Sequence, residues 1–446
     1  VCLQMRIDGE WERYTFTEAE RIARKIAAQF EKSGIGKGDF VMLILENCPE
    51  WALFYLGILY SGACAVPLDK KSGMDEITNV DKSCGAKGLV VSYDIFSQED
   101  FADIQARFDS IIVKDLQETV EDSRVIGYEQ ILESPDEQNF QPQTVSADDY
   151  ASLIYTSGTT GEPKGVLLSH GNFCHNVKSL RQLKVCTPET SAMCLLPLFH
   201  TYAFMGGLLA PLLIGARVSF CTSFKSDAVT ATIRETSITL MTAVPEFYEM
   251  LRNKIFAVYD KTPIVFRPLV LLFTKRKVRK LLGGTDKRFV SGGAKSDPKV
   301  MKDLARLGFE MNEGYGLTET APIVTLNPPN RIKHGSSGKP LSGVDVKIAN
   351  PDEKGTGEVV VKGPNVMKGY FKMPEKTDEV IKGGWFHTGD MGYIDKDGYL
   401  YITGRLNEMI VLPSGKNIYP DEIEKVFIAS PYIKEVCVIK PENQSG

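Results

Sequence analysis

The stretch Y-T-S-G-T-T-G-E-P-K-G-V-L-L-S-H, from Tyr155 to His170, constrains the fold more than any other part of the chain. An apolar run from Ala151 to Tyr155 enters it and a second, Val166 to Leu168, leaves it, so it reads as strand, polar loop, strand. Gly158, Gly161 and Gly165 let the chain turn where a side chain would block it. Thr156, Ser157, Thr159 and Thr160 offer hydroxyls, and Lys164 adds a mobile cation. Backbone N–H groups of such a loop can close around an anion, and a phosphate suits that chemistry. It is not a Walker A loop, because Gly165 rather than Ser or Thr follows Lys164, and Pro163 precedes it.

Around this stretch, helical and extended patterns alternate, which predicts parallel sheet with helices on its faces. Val1 to Ile7 and Trp11 to Phe16 read as a hairpin around Asp8-Gly9. Thr17-x-x-Glu20 reads as a capping box, followed by Ile22, Ile26 and Phe30 on one helical face. Phe40 to Leu45 and Ala63 to Leu68 read as strands flanking a helix from Pro49 to Tyr60. Residues 97–148 are polar and acidic and read as a variable surface region. Past His170 come strands at Val218 to Cys221, Ser237 to Val244 and Phe289 to Gly293, then a helix capped by Ser296 with Pro298 inside it. From Ile323 to Tyr401 short β runs with Gly, Pro and Asn turns predict a small antiparallel barrel or sheet. Beyond Gly404, a helix (Asp421 to Ile428) and a strand (Glu435 to Lys440) begin a further domain, and both chain ends read as cut.

Composition narrows the function. At 446 residues two or more domains are expected, and a net charge of −5 gives no electrostatic footprint for nucleic acid. The cysteines form no C-x-x-C pair, and Cys64, Cys194 and Cys437 sit in apolar runs. They read as reduced, buried thiols of a cytoplasmic protein rather than disulfides or zinc ligands. No signal peptide and no membrane-spanning run is present in the sequence. Between Arg252 and Arg288 lies a basic, apolar stretch with Phe266, Leu269, Leu272 and Phe273 ahead of K-R-K-V-R-K, Lys275 to Lys280. Residues 266–280 read equally as a peripheral membrane contact and as a solvated helical insertion.

Further constellations follow in order. Ser291-Gly292-Gly293-Ala294 puts bare glycines at a strand end, where a flat ring can approach the backbone. Gly314-Tyr315-Gly316-Leu317-Thr318-Glu319 offers an aromatic face for a purine and a carboxylate for a hard cation. W-F-H-T-G-D, ending at Asp390, and G-Y-L-Y-I-T-G-R, ending at Arg405, supply an acceptor for paired sugar hydroxyls and a donor for sugar or phosphate. Asp395-x-Asp397-Gly398 reads as a hairpin turn rather than a calcium loop.

Together these stretches resemble the AMP-forming, adenylate-forming enzymes, from about Thr15 onward. The wording of V-S-G-G-A and G-P-N-V-M-K-G-Y is most similar to long-chain fatty acid–CoA ligases. The resemblance implies an α/β fold. A large N-terminal domain (1–404) would hold two α/β subdomains and a small antiparallel β-barrel (about 323–401). A hinge and an incomplete α+β C-terminal domain (405–446) would follow. It implies that Thr156 to Gly161 and Lys164 surround the phosphates of ATP, that Gly292, Gly293, Ala294, Gly314 and Gly316 flank adenine, and that Tyr315 stacks on it. By the same resemblance Thr318 bonds the α-phosphate, Glu319 holds Mg²⁺, and Asp390 and Arg405 hold ribose. Ser414, Gly415 and Lys416 would meet the pantetheine arm of CoA. Asn407 stands at a hinge position where the family commonly has Asp or Lys.

Amino-acid-activating relatives place an Asp near position 200; here His200 stands with Phe199, Tyr202 and Phe204, which favours a fatty or aromatic acid. Phe204 falls where some relatives carry an aromatic gate. The implied reaction joins a carboxylic acid to AMP with release of pyrophosphate, then passes the acyl group to CoA. Acyl carrier protein is an alternative acceptor, an aryl acid an alternative substrate, and a non-catalytic nucleotide-binding scaffold an alternative role. The scaffold reading expects lesions at Lys164, Glu319 or Asp390, and all are intact. No match to the family's C-terminal Lys follows Asn443, so the chain as written is expected to bind ATP or AMP and adenylate slowly.

Overall fold

The computed structural model describes residues 1–117, 120–135, 140–156, 163–284 and 286–406, with isolated residues between 410 and 438. In one large sheet the strands Phe40–Ile44, Cys64–Pro67, Gly88–Ser92, Ser110–Lys114 and Val125–Gly127 run parallel, and Tyr150–Thr156 joins Cys64–Pro67 in the same sense. Lys164–Ser169 then returns antiparallel on Tyr150–Thr156, with Thr156 opposite Lys164 and Tyr155 opposite Gly165. The Gly/Ser/Thr stretch therefore joins two paired strands, as its apolar flanks imply.

A second large sheet has a parallel centre running from Leu3–Ile7 through Arg217–Phe220, Ser191–Cys194, Leu240–Ala243 and Arg288–Ser291 to Glu310–Gly316. Antiparallel strands flank this centre, Glu10–Tyr14 on one side and Ile323–Leu326 followed by Lys339–Pro340 on the other. The central parallel strands Cys64–Pro67, Gly88–Ser92, Ser191–Cys194 and Leu240–Ala243 are buried along their whole length, as expected where helices cover both faces of a sheet.

The helix Pro49–Tyr60 sits where core side chains of both sheets meet. It is apolar on every side, and Trp51, Phe54 and Tyr55 are buried, each stabilising by about 1.5–3 kcal/mol. The Tyr55 hydroxyl shares a 2.7 Å hydrogen bond with Ser152, on the strand leading to the Gly/Ser/Thr stretch. On its other side Tyr55 meets the ring of Phe204 at 4.6 Å. One helix thus fixes the hairpin against the segment that follows His200.

A small antiparallel sheet is built from Asp345–Ala349, Gly357–Lys362, Trp385–Ile394, Leu400–Arg405 and Ile381–Lys382. The β-rich region expected at 323–401 is divided: Ile323–Leu326 extends the second large sheet, and Gly369–Tyr370 pairs with Lys164–Ser169 of the first. Alternation and turn residues identify a strand, but its partner is set by long-range packing.

Local boundaries differ in instructive ways. The first helix, Phe16–Lys32, is capped by Thr15 with Glu18 rather than by Thr17 with Glu20. Thr15 Oγ1 accepts from Glu18 N at 3.2 Å, and the Glu18 carboxylate accepts from Thr15 N at 2.8 Å. Asp297, not Ser296, caps Pro298–Arg306; Ser296 Oγ instead donates to Ser291 Oγ at 2.9 Å. The region 97–148 holds the sheet strand Ser110–Lys114, whose Ile111, Ile112 and Val113 are fully buried. That apolar run is short, and its polar flanks mask it. Cys64 and Cys194 are buried as expected, whereas Cys437 is exposed. The segments expected at 421–428 and 435–440 lie largely outside the described residues, as do Asn407, Ser414, Gly415 and Lys416. Among the described residues no helix is long and apolar enough to cross a membrane.

Candidate active site

A cavity of about 670 Å³ opens at the carboxyl ends of the second sheet's parallel strands. Pro197 follows Ser191–Cys194, Val244 follows Leu240–Ala243, Gly292 follows Arg288–Ser291, and Tyr315 is the penultimate residue of Glu310–Gly316. Thr156, at the end of the strand entering the Gly/Ser/Thr stretch, and Arg405, at the end of Leu400–Arg405, complete the wall. The crevice beyond strand carboxyl ends is where open α/β sheets take ligands.

At one end, Tyr315 donates its hydroxyl to Asp390 Oδ2 at 2.7 Å, and Arg405 Nε lies 3.4 Å from Asp390 Oδ1. Asp390 and Arg405 stand opposite each other in the small sheet. The Asp390 turn is braced from below: Glu358 accepts from Gly389 N at 3.2 Å and shares a 2.7 Å bond with His387 Nδ1. Burial, reinforced by the Asp390 carboxylate, pushes the Tyr315 phenol well above its ordinary value, so it donates rather than ionises. Position 316 admits only glycine, because a Cβ there would lie 1.7 Å from the Pro322 carbonyl oxygen.

In the middle, Thr201 Oγ1 donates to Thr318 Oγ1 at 3.0 Å, and Glu319 Oε1 accepts from the Tyr370 hydroxyl at 2.9 Å. Lys164 Nζ stands 5.3 Å from the centroid of the same Tyr370 ring, a cation–π distance. Tyr370 thus links the cation after the Gly/Ser/Thr stretch to the carboxylate of the cavity wall. Burial and Glu319 both raise the Tyr370 phenol, which keeps it a donor.

At the other end, His200 begins the short helix Thr201–Phe204 and presents an edge to the cavity. Surrounding protein atoms lower its imidazole below the ordinary value, with Asp69 partly opposing. Tyr202 is pinned as a floor: its hydroxyl donates to Val290 O at 2.9 Å and to Ala243 O at 3.3 Å. Its ring lies against Gly292, 3.0 Å from where a Cβ would stand.

Of the residues expected from the sequence, Thr156, His200, Tyr202, Gly292, Gly293, Gly314, Tyr315, Gly316, Thr318, Glu319 and Arg405 line this cavity, and Asp390 backs it through Tyr315. Lys164 approaches through Tyr370. Ala294 is exposed and off the cavity wall, and the Phe199 ring lies 4.0 Å from that of His200 without lining the cavity. Phe204, one helical turn after His200, does not line the cavity: it is buried in an aromatic cluster with Trp51, Tyr55 and Phe173. Ser157, Gly158, Thr159, Thr160, Gly161, Ser414, Gly415 and Lys416 lie outside the described residues.

Tyr370, Thr201 and the apolar wall residue Val244 were not singled out by sequence reasoning. Tyr370 ends the G-P-N-V-M-K-G-Y stretch, but its place beside Lys164 is set by the pairing of Tyr370 with Val166. A local pattern carries no trace of such a contact.

The AMP-binding enzyme family model matches residues 2–371. The chain belongs to this family. As an AMP-binding enzyme it is an AMP-forming acid–CoA ligase, with ATP and CoA as co-substrates and Mg²⁺ as the metal. It is 30% identical to 4-coumarate–CoA ligase from Pinus taeda, over 99% of this chain and 80% of that protein. It is likewise 30% identical to 4-coumarate–CoA ligase 2 from Solanum tuberosum, over 99% of this chain and 79% of that protein. Among solved structures, ATP-bound MatB from Rhodopseudomonas palustris superposes with a TM-score of 0.81 at 28% identity, covering 98% of this chain and 82% of that one. O-succinylbenzoate coenzyme A synthetase from Bacillus subtilis with AMP gives 0.79 at 26%, covering 100% and 83%.

Proposed function

We propose that this AMP-binding enzyme activates a carboxylic acid with an uncharged, apolar tail, a medium- or long-chain fatty acid as the first reading. The observation that carries this is one cavity whose two ends differ in kind: Tyr315 and Arg405 at one, Leu196, Pro197, Tyr202 and Val244 at the other. The Tyr202 hydroxyl is committed to backbone carbonyls, so it offers the acid only a ring face. His200, lowered by burial, offers no anion to pair with an ammonium.

An aromatic acid is the second reading. The flat, pinned Tyr202 ring against Gly292 favours it, and so does the 30% identity to 4-coumarate–CoA ligases.

In this proposal Tyr315 stacks on adenine, while Asp390 and Arg405 hold the ribose. A carboxylate oxygen of the acid attacks the α-phosphorus, and pyrophosphate leaves. The CoA thiolate then attacks the acyl carbon and AMP leaves. Two anions must meet in the first step; the Thr318 hydroxyl and Lys164 offset their repulsion. Among the described residues no cluster of three acidic, His or Cys side chains is present, which excludes an all-protein metal cage there. Glu319 fits Mg²⁺ instead, since this ion takes one or two carboxylates and completes its shell with phosphate oxygens and water. Bound there, Mg²⁺ supplies charge neutralisation of the phosphates.

A panel of carboxylic acids in a CoA-dependent AMP-release assay tests the reading. Alkanoates of eight carbons or more should outpace acetate and amino acids by about tenfold or more. Preference for 4-coumarate over every alkanoate would select the aromatic reading, and preference for an amino acid would reject both.

A further inference from the structure

The helix Pro245–Lys261, the short turn Ile264–Phe266 and the helix Arg267–Leu282 form a hairpin on the second sheet. Its inner face is ordinary core. Val278 and Leu282 are buried, and Val270 and Leu271 pack partly against the same cluster. Its outer face is not. Ile264 is 76% exposed, Val265 83%, Phe266 59%, Leu269 54% and Phe273 59%, the densest run of exposed large apolar side chains among the described residues. Isolated exposed leucines need no explanation, but a contiguous apolar patch does.

Beyond the apolar half of the helix, Lys275, Arg276, Lys277, Arg279 and Lys280 are all exposed. No acidic residue occurs from Arg267 to Leu282, although the chain as a whole carries a net charge of −5. The hairpin is therefore a basic island with an apolar tip on an acidic protein. It is also held firmly. Arg252 bridges Asp303 at 2.7 Å and Asp260 at 2.5 Å, and the guanidinium groups of Arg306 and Arg267 lie 5.3 and 5.5 Å from the Tyr259 ring. A solvated insertion accounts for the cations but not for the apolar tip. A second copy docked face to face would accept the apolar tip but bring two cationic clusters together.

We propose that this face docks on an anionic phospholipid bilayer, with Phe266, Leu269, Leu272 and Phe273 entering the headgroup–acyl boundary and Lys275 to Lys280 lying over anionic headgroups. Apolar insertion and cation attraction reinforce each other in such interfacial helices. The contact is peripheral, since among the described residues no helix can span a bilayer. This inference stands whether the acid proves aliphatic or aromatic, because it rests on the outer face and not on the cavity.

Flotation of the full chain with phosphatidylcholine vesicles, with and without phosphatidylserine, tests it. The protein should float with the anionic vesicles and do so about tenfold less with the neutral ones, and high salt should release it. The double variant Leu272→Ser/Phe273→Ser and the triple variant Lys275→Glu/Arg276→Glu/Lys277→Glu should each lose flotation while keeping the wild-type melting temperature and AMP affinity. Phe266→Trp provides a second readout that needs no destabilising change: brominated lipid should quench its added fluorescence. Failure of the wild type to float with either vesicle, flotation of every variant alongside it, or an unquenched Phe266→Trp signal would overturn the proposal. So would a lipid-free dimer that the same variants dissolve, which would assign the face to a second copy.

Discussion

Tyr315 and Asp390 meet at 2.7 Å although one belongs to a strand of a large sheet and the other to the small antiparallel sheet. The bond holds the ring and the carboxylate in one place before any ligand arrives, so two contacts proposed for a nucleoside are preorganised together. Tyr315→Phe keeps the ring and loses the bond. It should weaken AMP by about 10-fold, the worth of one hydrogen bond to a charged group at the low end. Asp390→Ala removes the acceptor itself and should cost about 100-fold. Calorimetric titration with AMP measures both, and equal affinity in the three proteins would refute the coupling.

Gly316→Ala should be among the most damaging small substitutions in the chain. Its new methyl would sit 1.7 Å from the Pro322 oxygen, a backbone atom that cannot swing away as a side chain would, so the chain itself must move. About 1–3 kcal/mol of stability should be lost, together with AMP binding. Gly314→Ala is the milder comparison, since its methyl would stand 3.1 Å from Leu326 Cδ1 and 3.2 Å from the Thr325 carbonyl oxygen, far less close than the contact at 316. Thermal melting of the pair separates them.

Tyr370 stands between Lys164 and Glu319, and removing its hydroxyl leaves both in place without the tether. Tyr370→Phe should raise the Mg²⁺ concentration for half-maximal activity by about fivefold, in line with the loss of one hydrogen bond of about 1 kcal/mol. The KM for the acid should stay unchanged. An unaltered Mg²⁺ dependence would show that the tether does not position Glu319.

The residues that were legible in the sequence are those whose chemistry is local. Tyr315, Thr318 and Glu319 occupy one short segment, and Asp390 and Arg405 face each other across a hairpin whose turn, Asp395 to Gly398, can be read directly. Pro49 marks its helix start because a proline at the first position leaves no N–H unpaired. Thr15 and Thr17 each begin a pattern with a Glu at the third position, so the wrong cap was as well supported as the right one. Ser110–Lys114 was hidden by its brevity. Tyr370 and the core orientation of Phe204 depend on strand pairing and on the Trp51–Tyr55 stack, which are tertiary facts.

Stability should fall as pH drops below neutral. Burial lowers the imidazoles of His170 and His175 below their ordinary value, and His170 Nε2 and His175 Nε2 are enclosed without a partner. Between the folded values and the ordinary value near 6.5 the unfolded chain binds more protons, so unfolding becomes easier as pH falls through that window. Melting temperatures from pH 7.5 to pH 5.5 should decline, and His175→Gln should shallow the slope. A flat profile would mean that neither ring is as enclosed as described.

The most direct test is a crystal structure of the protein with AMP. The account predicts the purine against the Tyr315 ring beside Gly292 and the ribose hydroxyls on Asp390, with the phosphate directed toward Thr318. A purine lodged elsewhere, with the sugar out of reach of Asp390, would contradict it.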